Sequence, residues 1–339
     1  MIQLKPNKNN KKSNMFSKGT ILSFIAILGL ALFFSVKALQ KDKQDDVVFK
    51  VGILKAIDHP ALDKTADGVI KILKEEVPNV KIIYESAQAD SGLAQQITQK
   101  FIHQRVDAIV TIGTTVTQVA LRQTKTIPIV FASVTDPVAS GIVSSLTSPE
   151  GNVTGVSNFS PDITAKQFEF FKKLLPNMKK VGLIYNSGES NSVVLVEKTK
   201  EEANRLNITV KEGIAQNTND AVFMAQSLSN TVDAIFIDND NTALGAIKGI
   251  VDVAIKNWVP VLCSDVDTVE LGVFAAVGPD QKKIGEKAGK IVVDVIKNNK
   301  LINEIPVQYA TENSYVVNKK TTAFLEVAIP TDKSIELVE

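Results

Sequence analysis

The chain has 339 residues, 44% hydrophobic and 22% charged, which is the composition of a folded globular protein and not of a disordered or multi-span membrane protein. Its formal net charge is +1, but residues 1–47 are strongly basic, so the remaining chain is net negative and offers no basic surface for nucleic acid. A single cysteine, Cys263, excludes an intramolecular disulfide, and only His59 and His103 are available for imidazole chemistry. The length favours two lobes over one core.

The first predicted element is an uncharged stretch, residues 20–36 (TILSFIAILGLALFFSV), which follows five lysines. Its length is at the short end for a membrane-spanning helix, and the preceding lysines favour a cytoplasmic N-terminus. We therefore expect residues 1–46 to form a cytoplasmic tail, a membrane anchor or signal segment, and a polar tether. The alternative is cleavage near Val36-Lys37-Ala38 and secretion of the rest. No cysteine directly follows the apolar stretch, so a lipid-modified N-terminus is not available.

Beyond the tether, short apolar runs alternate with amphipathic stretches. The apolar runs predict strands at residues 47–54, 80–84, 107–112 and 128–132, and the amphipathic stretches predict helices at 61–76, 91–104 and 116–123. The runs are apolar enough to be buried on both faces, as strands of parallel sheets are. Strand and helix alternate with short connections, which is typical of a doubly wound sheet.

After an irregular segment and a helix at residues 163–175, the pattern begins again. Val181-Gly182-Leu183-Ile184 echoes Val51-Gly52-Ile53-Leu54. Strands are predicted at 181–185, 208–212, 234–237, 260–263, 273–277, 306–309 and 315–317, and helices at 192–206, 218–228, 242–256 and 281–298; residues 265–272 are read as a helix or turn. We predict an α/β fold of two doubly wound parallel-sheet lobes joined by a three-passage hinge. The first lobe would comprise 47–157 plus 278–309, and the second 158–277 plus 310–339.

Polar side chains follow the predicted strands, at the edge where parallel sheets bind ligands. From the first lobe we expect His59, Thr114, Thr115, Ser133 and Thr135 to contact a ligand, and from the second lobe Asn186, Asn191, Ser192, Asp238, Asn241 and Asp265. None of them is a lysine or arginine, which disfavours a phosphate ligand.

This set of side chains suits a zwitterion. Thr114, Thr115 and Ser133 can bind a carboxylate, while Asp238 or Asp265 from the facing lobe can bind an ammonium. Such a site would close on an amino acid, and Phe159 or Tyr185 could stack on an aromatic side chain. Other roles stay open: Thr115, Ser192, Thr242 and His59 can equally be helix caps, and residues 238–241 could be a solvated turn or a weak cation loop, although the spacing is not that of a calcium loop.

Catalytic signatures are absent from the sequence. It contains no G-x-x-x-x-G-K-[ST], G-x-G-x-x-G, H-E-x-x-H or G-x-S-x-G motif. Asp238 and Asp265 could form an acid–base pair as in a glycosidase, but nothing in their sequence context indicates a raised pKa. We therefore predict a binding protein that is not an enzyme and that needs no metal and no cofactor.

Several stretches together resemble the substrate-binding proteins of bacterial ABC uptake systems, in the group associated with tryptophan and other aromatic amino acids. They are VGILKAIDHPALD (51–63), TDPVASGIV (135–143), GNVTGVSN (151–158), VGLIYNSGESNSV (181–193), DNDNTAL (238–244) and SDVDTV (264–269). The resemblance implies a periplasmic-binding-protein-like fold of the first type, no catalysis, and delivery of a small solute to an ABC permease and its ATPase.

Members of the group usually begin with a lipid-attachment cysteine or a cleaved signal, and this chain departs from the first pattern. We expect a monomer whose binding domain is extracytoplasmic, attached to the cell membrane through residues 20–36. The alternatives are a sugar or nucleoside receptor of the same fold, or a ligand-sensing receptor domain.

Overall fold

The computed structural model describes residues 48–310 and 312–339, and Val48–Glu339 form one compact unit. The predicted tail, anchor and tether lie outside the described residues. Within the described ranges, no helix has the length and apolar character needed to cross a bilayer.

The first lobe is a six-stranded parallel sheet with strand order β11-β5-β4-β3-β1-β2. Its strands are β1 (Lys50–Lys55), β2 (Lys81–Ser86), β3 (Ala108–Ile112), β4 (Ile129–Val134), β5 (Val153–Ser157) and β11 (Gln308–Tyr309). Its helices are α1 (Pro60–Glu76), α2 (Ser91–His103), α3 (Thr114–Gln123) and α9 (Gln281–Ile296), and a 3-10 turn spans Ile302–Glu304. The central strands β3 and β4 are buried along their whole length, as their continuous apolar runs predict.

The second lobe is a seven-stranded sheet with strand order β13-β12-β10-β9-β8-β6-β7. Its strands are β6 (Lys180–Tyr185), β7 (Thr209–Ile214), β8 (Ala234–Ile237), β9 (Val261–Cys263), β10 (Ala275–Pro279), β12 (Asn313–Asn318) and β13 (Ile335–Val338). Its helices are α4 (Ile163–Leu174), α5 (Ser190–Arg205), α6 (Thr218–Ser229), α7 (Asn241–Gly245), α8 (Ile247–Lys256) and α10 (Lys319–Phe324), with a 3-10 helix at Val266–Leu271. Its core includes Phe168, which meets the ring of Phe236 edge-on at 5.4 Å.

The two α/β lobes with parallel sheets confirm the predicted fold class, with three differences in detail. Strand β12 pairs antiparallel with β10, because the chain re-enters the second lobe from the cleft side. The predicted helix 242–256 is two helices that meet at Ala246. Helix α10 and strand β13 were not predicted, because both are short and β13 is a partly exposed edge strand.

Glycines set the spacing between α1 and α9 in the first lobe. A Cβ atom at Gly285 would lie 1.9 Å from the backbone oxygen of Thr65, and one at Gly68 would lie 2.2 Å from that of Lys282. Because no side chain can occupy either position, the two helices lie in backbone contact. This contact fixes α1, and His59 stands directly before its first residue.

The chain passes between the sheets three times: from β5 to α4, from β10 to α9, and from β11 to β12. The lobes also touch directly. Ile57 of the first lobe packs into the apolar core of the second, and Gln118 on α3 donates from Nε2 to the hydroxyl of Ser190 at 3.1 Å. Lys64 on α1 lies 2.6 Å from the carboxylate of Asp267. These contacts define a closed arrangement of the two lobes.

Candidate ligand-binding cleft

A small cavity of about 30 Å³ lies between the lobes, at the carboxyl ends of strands from both sheets. Seven of the eleven predicted ligand-contacting residues line it: His59, Thr114, Ser133, Thr135, Asn191, Asn241 and Asp265. Eight further residues, which were not among the predicted ligand contacts, also line it: Ile57, Ala61, Leu62, Gly113, Asn158, Asn239, Leu244 and Gln281. The lining contains no lysine or arginine, and its apolar part is aliphatic.

The other four predicted residues lie elsewhere. Thr115 and Asn186 line a wider groove of about 480 Å³, between the loops that follow the edge strands β2 and β7 on the side away from the crossings. Ser192 is buried within the second lobe and donates to Asp240 Oδ2 at 2.5 Å. Asp238 is also buried, and accepts from the backbone N–H of Asn239 at 2.9 Å.

Neither aromatic residue considered for stacking lines the cavity. Phe159 and Tyr185 belong to the apolar core of the second lobe. The hydroxyl of Tyr185 donates to Glu212 at 2.7 Å, and the ammonium of Lys198 lies 3.9 Å from the centre of the Phe159 ring.

His59 caps helix α1 and presents its imidazole to the cavity. Its Nδ1 accepts the backbone N–H of Ala61 at 3.4 Å, and burial lowers the pKa of the imidazole to about 4. The neutral ring therefore carries its proton on Nε2. This Nε2 is buried and has no hydrogen-bond partner among the described residues, which makes it a donor available to a ligand.

Asp265 faces His59 from the second lobe, with Oδ2 3.3 Å from Nδ1 of the imidazole. Its other oxygen accepts the backbone N–H of Asp267 at 3.0 Å. Burial, followed by the charge of Asp267, raises the pKa of the Asp265 carboxyl to about 7. The pKa shifts of His59 and Asp265 thus both favour the neutral form, so their contact is not an ion pair. The Oδ2 atom of Asp265 lacks a hydrogen-bond partner among the described residues.

Two asparagines add further acceptors to this cavity. The amide nitrogen of Asn191 donates to the backbone oxygen of Asn239 at 2.7 Å, and this leaves Oδ1 as the unused atom. The Oδ1 atoms of Asn191 and Asn158 are both buried and unpaired within the described part of the chain. Together with Asp265 Oδ2 they provide three acceptor oxygens around one cavity, and an ammonium group has three protons to donate.

The first lobe contributes hydroxyl groups. Thr114 is the first residue of α3, and it follows Gly113, whose φ of 108° suits glycine. Ser133 has a φ of 53° at an irregularity between β4 and β5, and its hydroxyl donates to Gln281 Oε1 at 2.8 Å. Because that proton is already used within the lobe, the hydroxyls of Thr114 and Thr135 are the remaining donors from this edge.

Sequence reasoning missed a buried carboxylate network behind the cavity. Glu189 accepts from the backbone N–H and the side chain of both Asn241 and Thr242. Asp240 accepts from the backbone N–H of Asn186 and Ala243, and burial together with the charge of Glu189 raises its pKa to about 6. Glu189 lies three residues before the predicted helix 192–206 and directly before the observed α5, so its position near a helix start was the only available signal.

A bilobed α/β fold with three crossings and an enclosed polar cavity between the lobes defines a solute-binding protein. No cluster of three or more potential metal ligands occurs among the described residues. The chain belongs to the ABC transporter substrate binding protein family, whose model matches residues 50–336.

Named relatives support this membership. The chain is 34% identical over 282 residues to a tyrosine-binding protein of Clostridioides difficile, with 82% of this chain and 81% of the relative covered. It is similar to a solved conserved domain protein from Vibrio cholerae, at 35% identity and a TM-score of 0.80, covering 84% of this chain and 96% of that one.

Two further structures bear on the closed arrangement. A domain from Streptococcus pneumonia in complex with L-Trp matches at 31% identity with a TM-score of 0.80, covering 84% of this chain and 97% of that one. A ligand-free, open substrate-binding protein from Clostridium difficile matches at 32% identity but with a TM-score of 0.65, covering 86% and 99%. At nearly the same identity, 31% and 32%, the chain is structurally more similar to the ligand complex than to the open protein, in agreement with its contacts between the lobes.

Proposed function

We propose that this protein is the extracytoplasmic binding component of an ABC uptake transporter and captures an aromatic amino acid, such as tryptophan, between its two lobes. The observation that carries the proposal is the set of unpaired, buried polar atoms around one cavity. Three are oxygens that suit an ammonium (Asn158, Asn191 and Asp265), and His59 Nε2 is a donor that suits a carboxylate. An α-amino acid has both groups.

A sugar would use the same cavity less well. Sugar hydroxyls both donate and accept, but they do not compensate the charge of a buried carboxylate as an ammonium does. Asp265 would then remain protonated or uncompensated.

The proposal that the ligand has an aromatic side chain is supported by the comparisons and by the shape of the site. One relative is named for tyrosine and one solved relative contains L-Trp. In this chain Ile57, Leu62 and Leu244 form the apolar wall of the cavity, and Asn241 lines both the cavity and the wider groove. A planar ring would pack on these aliphatic side chains and extend toward the groove, and the lobes must part to admit it because the closed cavity is only about 30 Å³.

The mechanism is capture and release of the unaltered solute. The lobes 47–157 plus 278–309 and 158–277 plus 310–339 move as bodies about the three crossings, and each binds one end of the zwitterion. The closed monomer delivers the solute to the permease and its ATPase. Residues 20–36 hold the binding domain at the outer face of the cell membrane, and no catalytic step is involved.

A thermal-shift panel of the twenty amino acids and common sugars on the full-length protein tests the ligand class. A ligand present at a hundred times its Kd stabilises the folded state by about 2.7 kcal/mol. For a protein of this size, that is a rise of a few degrees in Tm. We expect tryptophan, tyrosine or phenylalanine to give the largest rise. A rise with sugars alone would reject the amino-acid assignment.

A further inference from the structure

Glu189 stands at the start of α5, yet its carboxylate does not cap that helix. It turns instead to α7, where Oε2 accepts the backbone N–H of Asn241 at 3.0 Å and Oε1 accepts the N–H of Thr242 at 3.0 Å and its hydroxyl at 2.7 Å. Glu189 is buried and makes no ion pair with any lysine, arginine or histidine of the described ranges. A buried anion without a countercharge persists only where hydrogen bonds compensate it.

The same carboxylate contacts the residue that presents an unpaired oxygen to the cavity. Asn191 Nδ2 lies 3.4 Å from Glu189 Oε2 and 2.7 Å from the backbone oxygen of Asn239. Both neighbours are acceptors, so they select the rotamer in which nitrogen faces the network and Oδ1 remains unpaired on the other side. Rotating the amide by half a turn would set oxygen against oxygen at both places.

We propose that Glu189 is a positioning residue for ligand binding: by holding Asn191 and the start of α7, it keeps the amide oxygen of Asn191 directed at the ligand ammonium. This inference rests on the proposed function and assigns Glu189, which also lines the wider groove, a role that acts through Asn191. A neutral glutamine at position 189 would bring its own N–H₂ against the donors of Asn241 or Thr242. Either way, at least two donors lose their acceptor and the support of Asn191 weakens.

A double-mutant cycle on the full-length protein tests this, with Kd for tryptophan measured by calorimetry. We expect Glu189→Gln to weaken binding about tenfold and Asn191→Leu, which removes the amide, to weaken it roughly 10- to 30-fold. If Glu189 acts through Asn191, the double variant binds about as weakly as Asn191→Leu alone. Glu197→Gln, on the exposed face of the same helix and 76% exposed, should bind as the wild type does.

If the two fold-changes in Kd multiply in the double variant, Glu189 does not act through Asn191. An unchanged affinity in Glu189→Gln would likewise overturn its role as a positioning residue. Thr242→Val provides a second route if Glu189→Gln does not fold, because it removes the hydroxyl that donates to Glu189 and keeps the backbone N–H. The same hydroxyl accepts from Asn186 Nδ2 at 2.9 Å, so Asn186→Ala is measured beside it as the control for that second bond. Thr242→Val should weaken binding about threefold, and not at all when leucine replaces Asn191. If the wild type itself does not bind tryptophan or a related amino acid, the proposed function fails, and that outcome is distinct from failure of the cycle.

Discussion

The two edges of the cleft differ in the chemistry they present. The first lobe contributes His59 with a free N–H, the hydroxyl of Thr114 at a helix start, and no carboxylate to the cavity lining. The second lobe contributes Asp265 and the amide oxygen of Asn191, backed by buried Glu189 and Asp240. Hydrogen-bond donors thus face acceptors across the cavity.

This division explains how closure can depend on a ligand. With nothing between the edges, closing buries the Asp265 carboxyl beside a neutral imidazole, and its pKa rises to about 7. A zwitterion supplies an ammonium to one edge and a carboxylate to the other, which removes the cost of burial on both sides. Four changes test this comparison of the edges.

Asp265→Asn removes the charge from the acceptor edge and has the largest expected effect. We expect amino-acid affinity to fall about 100-fold at pH 7.5, because the ammonium loses its only adjacent carboxylate in the lining. The Tm without ligand should stay the same or rise, since a buried ionisable carboxyl is removed. Calorimetry and thermal unfolding measure the two effects, with Asp252→Asn on the exposed face of α8 as the control. Undiminished affinity would mean that another group binds the ammonium.

The pH dependence of affinity tests the same carboxyl without mutation. In the closed form the pKa of Asp265 is raised from 3.8 to about 7, so the proton must leave before the carboxylate can bind an ammonium. Affinity should therefore weaken as the pH falls below about 7, by at most tenfold for each pH unit and by less to the extent that the open, unliganded form keeps the carboxyl ionised. His59, Asp267 and Lys64 surround the group, but the pKa of His59 is lowered to about 4, outside this window. A flat profile between pH 5.5 and 8 in calorimetry would contradict the assignment, and Asp265→Asn should abolish the slope.

His59→Asn tests the donor edge. Asparagine is a good helix cap, so α1 should keep its start while the Nε2 donor is lost. We expect amino-acid affinity to fall about tenfold, which corresponds to one hydrogen bond to a charged group. The only other histidine, His103, lies at the end of α2, and His103→Asn is the control. Equal affinities for the two variants would show that the ligand carboxylate is bound elsewhere.

The comparison also shows what the sequence could and could not predict. Alternating apolar runs and amphipathic stretches were sufficient for the two α/β lobes, because buried parallel strands have a distinct composition. The direction of β12 was not predictable from its own residues, because it depends on where the third crossing returns the chain.

The residues of the site also divide into those that the sequence could predict and those that it could not. His59, Thr114 and Asp265 lie shortly after predicted strands, so a search for polar side chains at the ends of strands finds them. Asn158 directly follows β5 (Val153–Ser157) and Gln281 lies two residues after β10 (Ala275–Pro279), so both could have been found in the same way; they were missed because these strands lead into the crossings between the lobes. Glu189 was missed for a different reason: its partners are on a neighbouring helix about fifty residues later, and no local pattern encodes that contact.

Lys64→Ala separates closure of the lobes from recognition of the solute and has the smallest expected effect. Lys64 on α1 bridges to Asp267 of the second lobe, and its side chain is 47% exposed, so the pair is partly screened by solvent. Removing the lysine leaves the largely buried carboxylate of Asp267, whose pKa is raised by burial, without its partner in the closed form only. We expect affinity for every accepted amino acid to fall by about the same factor, two- to threefold, and more at low salt than at high salt.

Lys71 lies on the same helix but pairs with Glu286 inside the first lobe, so Lys71→Ala should leave affinity unchanged. Calorimetry at two salt concentrations measures both variants. A change in selectivity among amino acids would show that Lys64 acts on the ligand and not on closure.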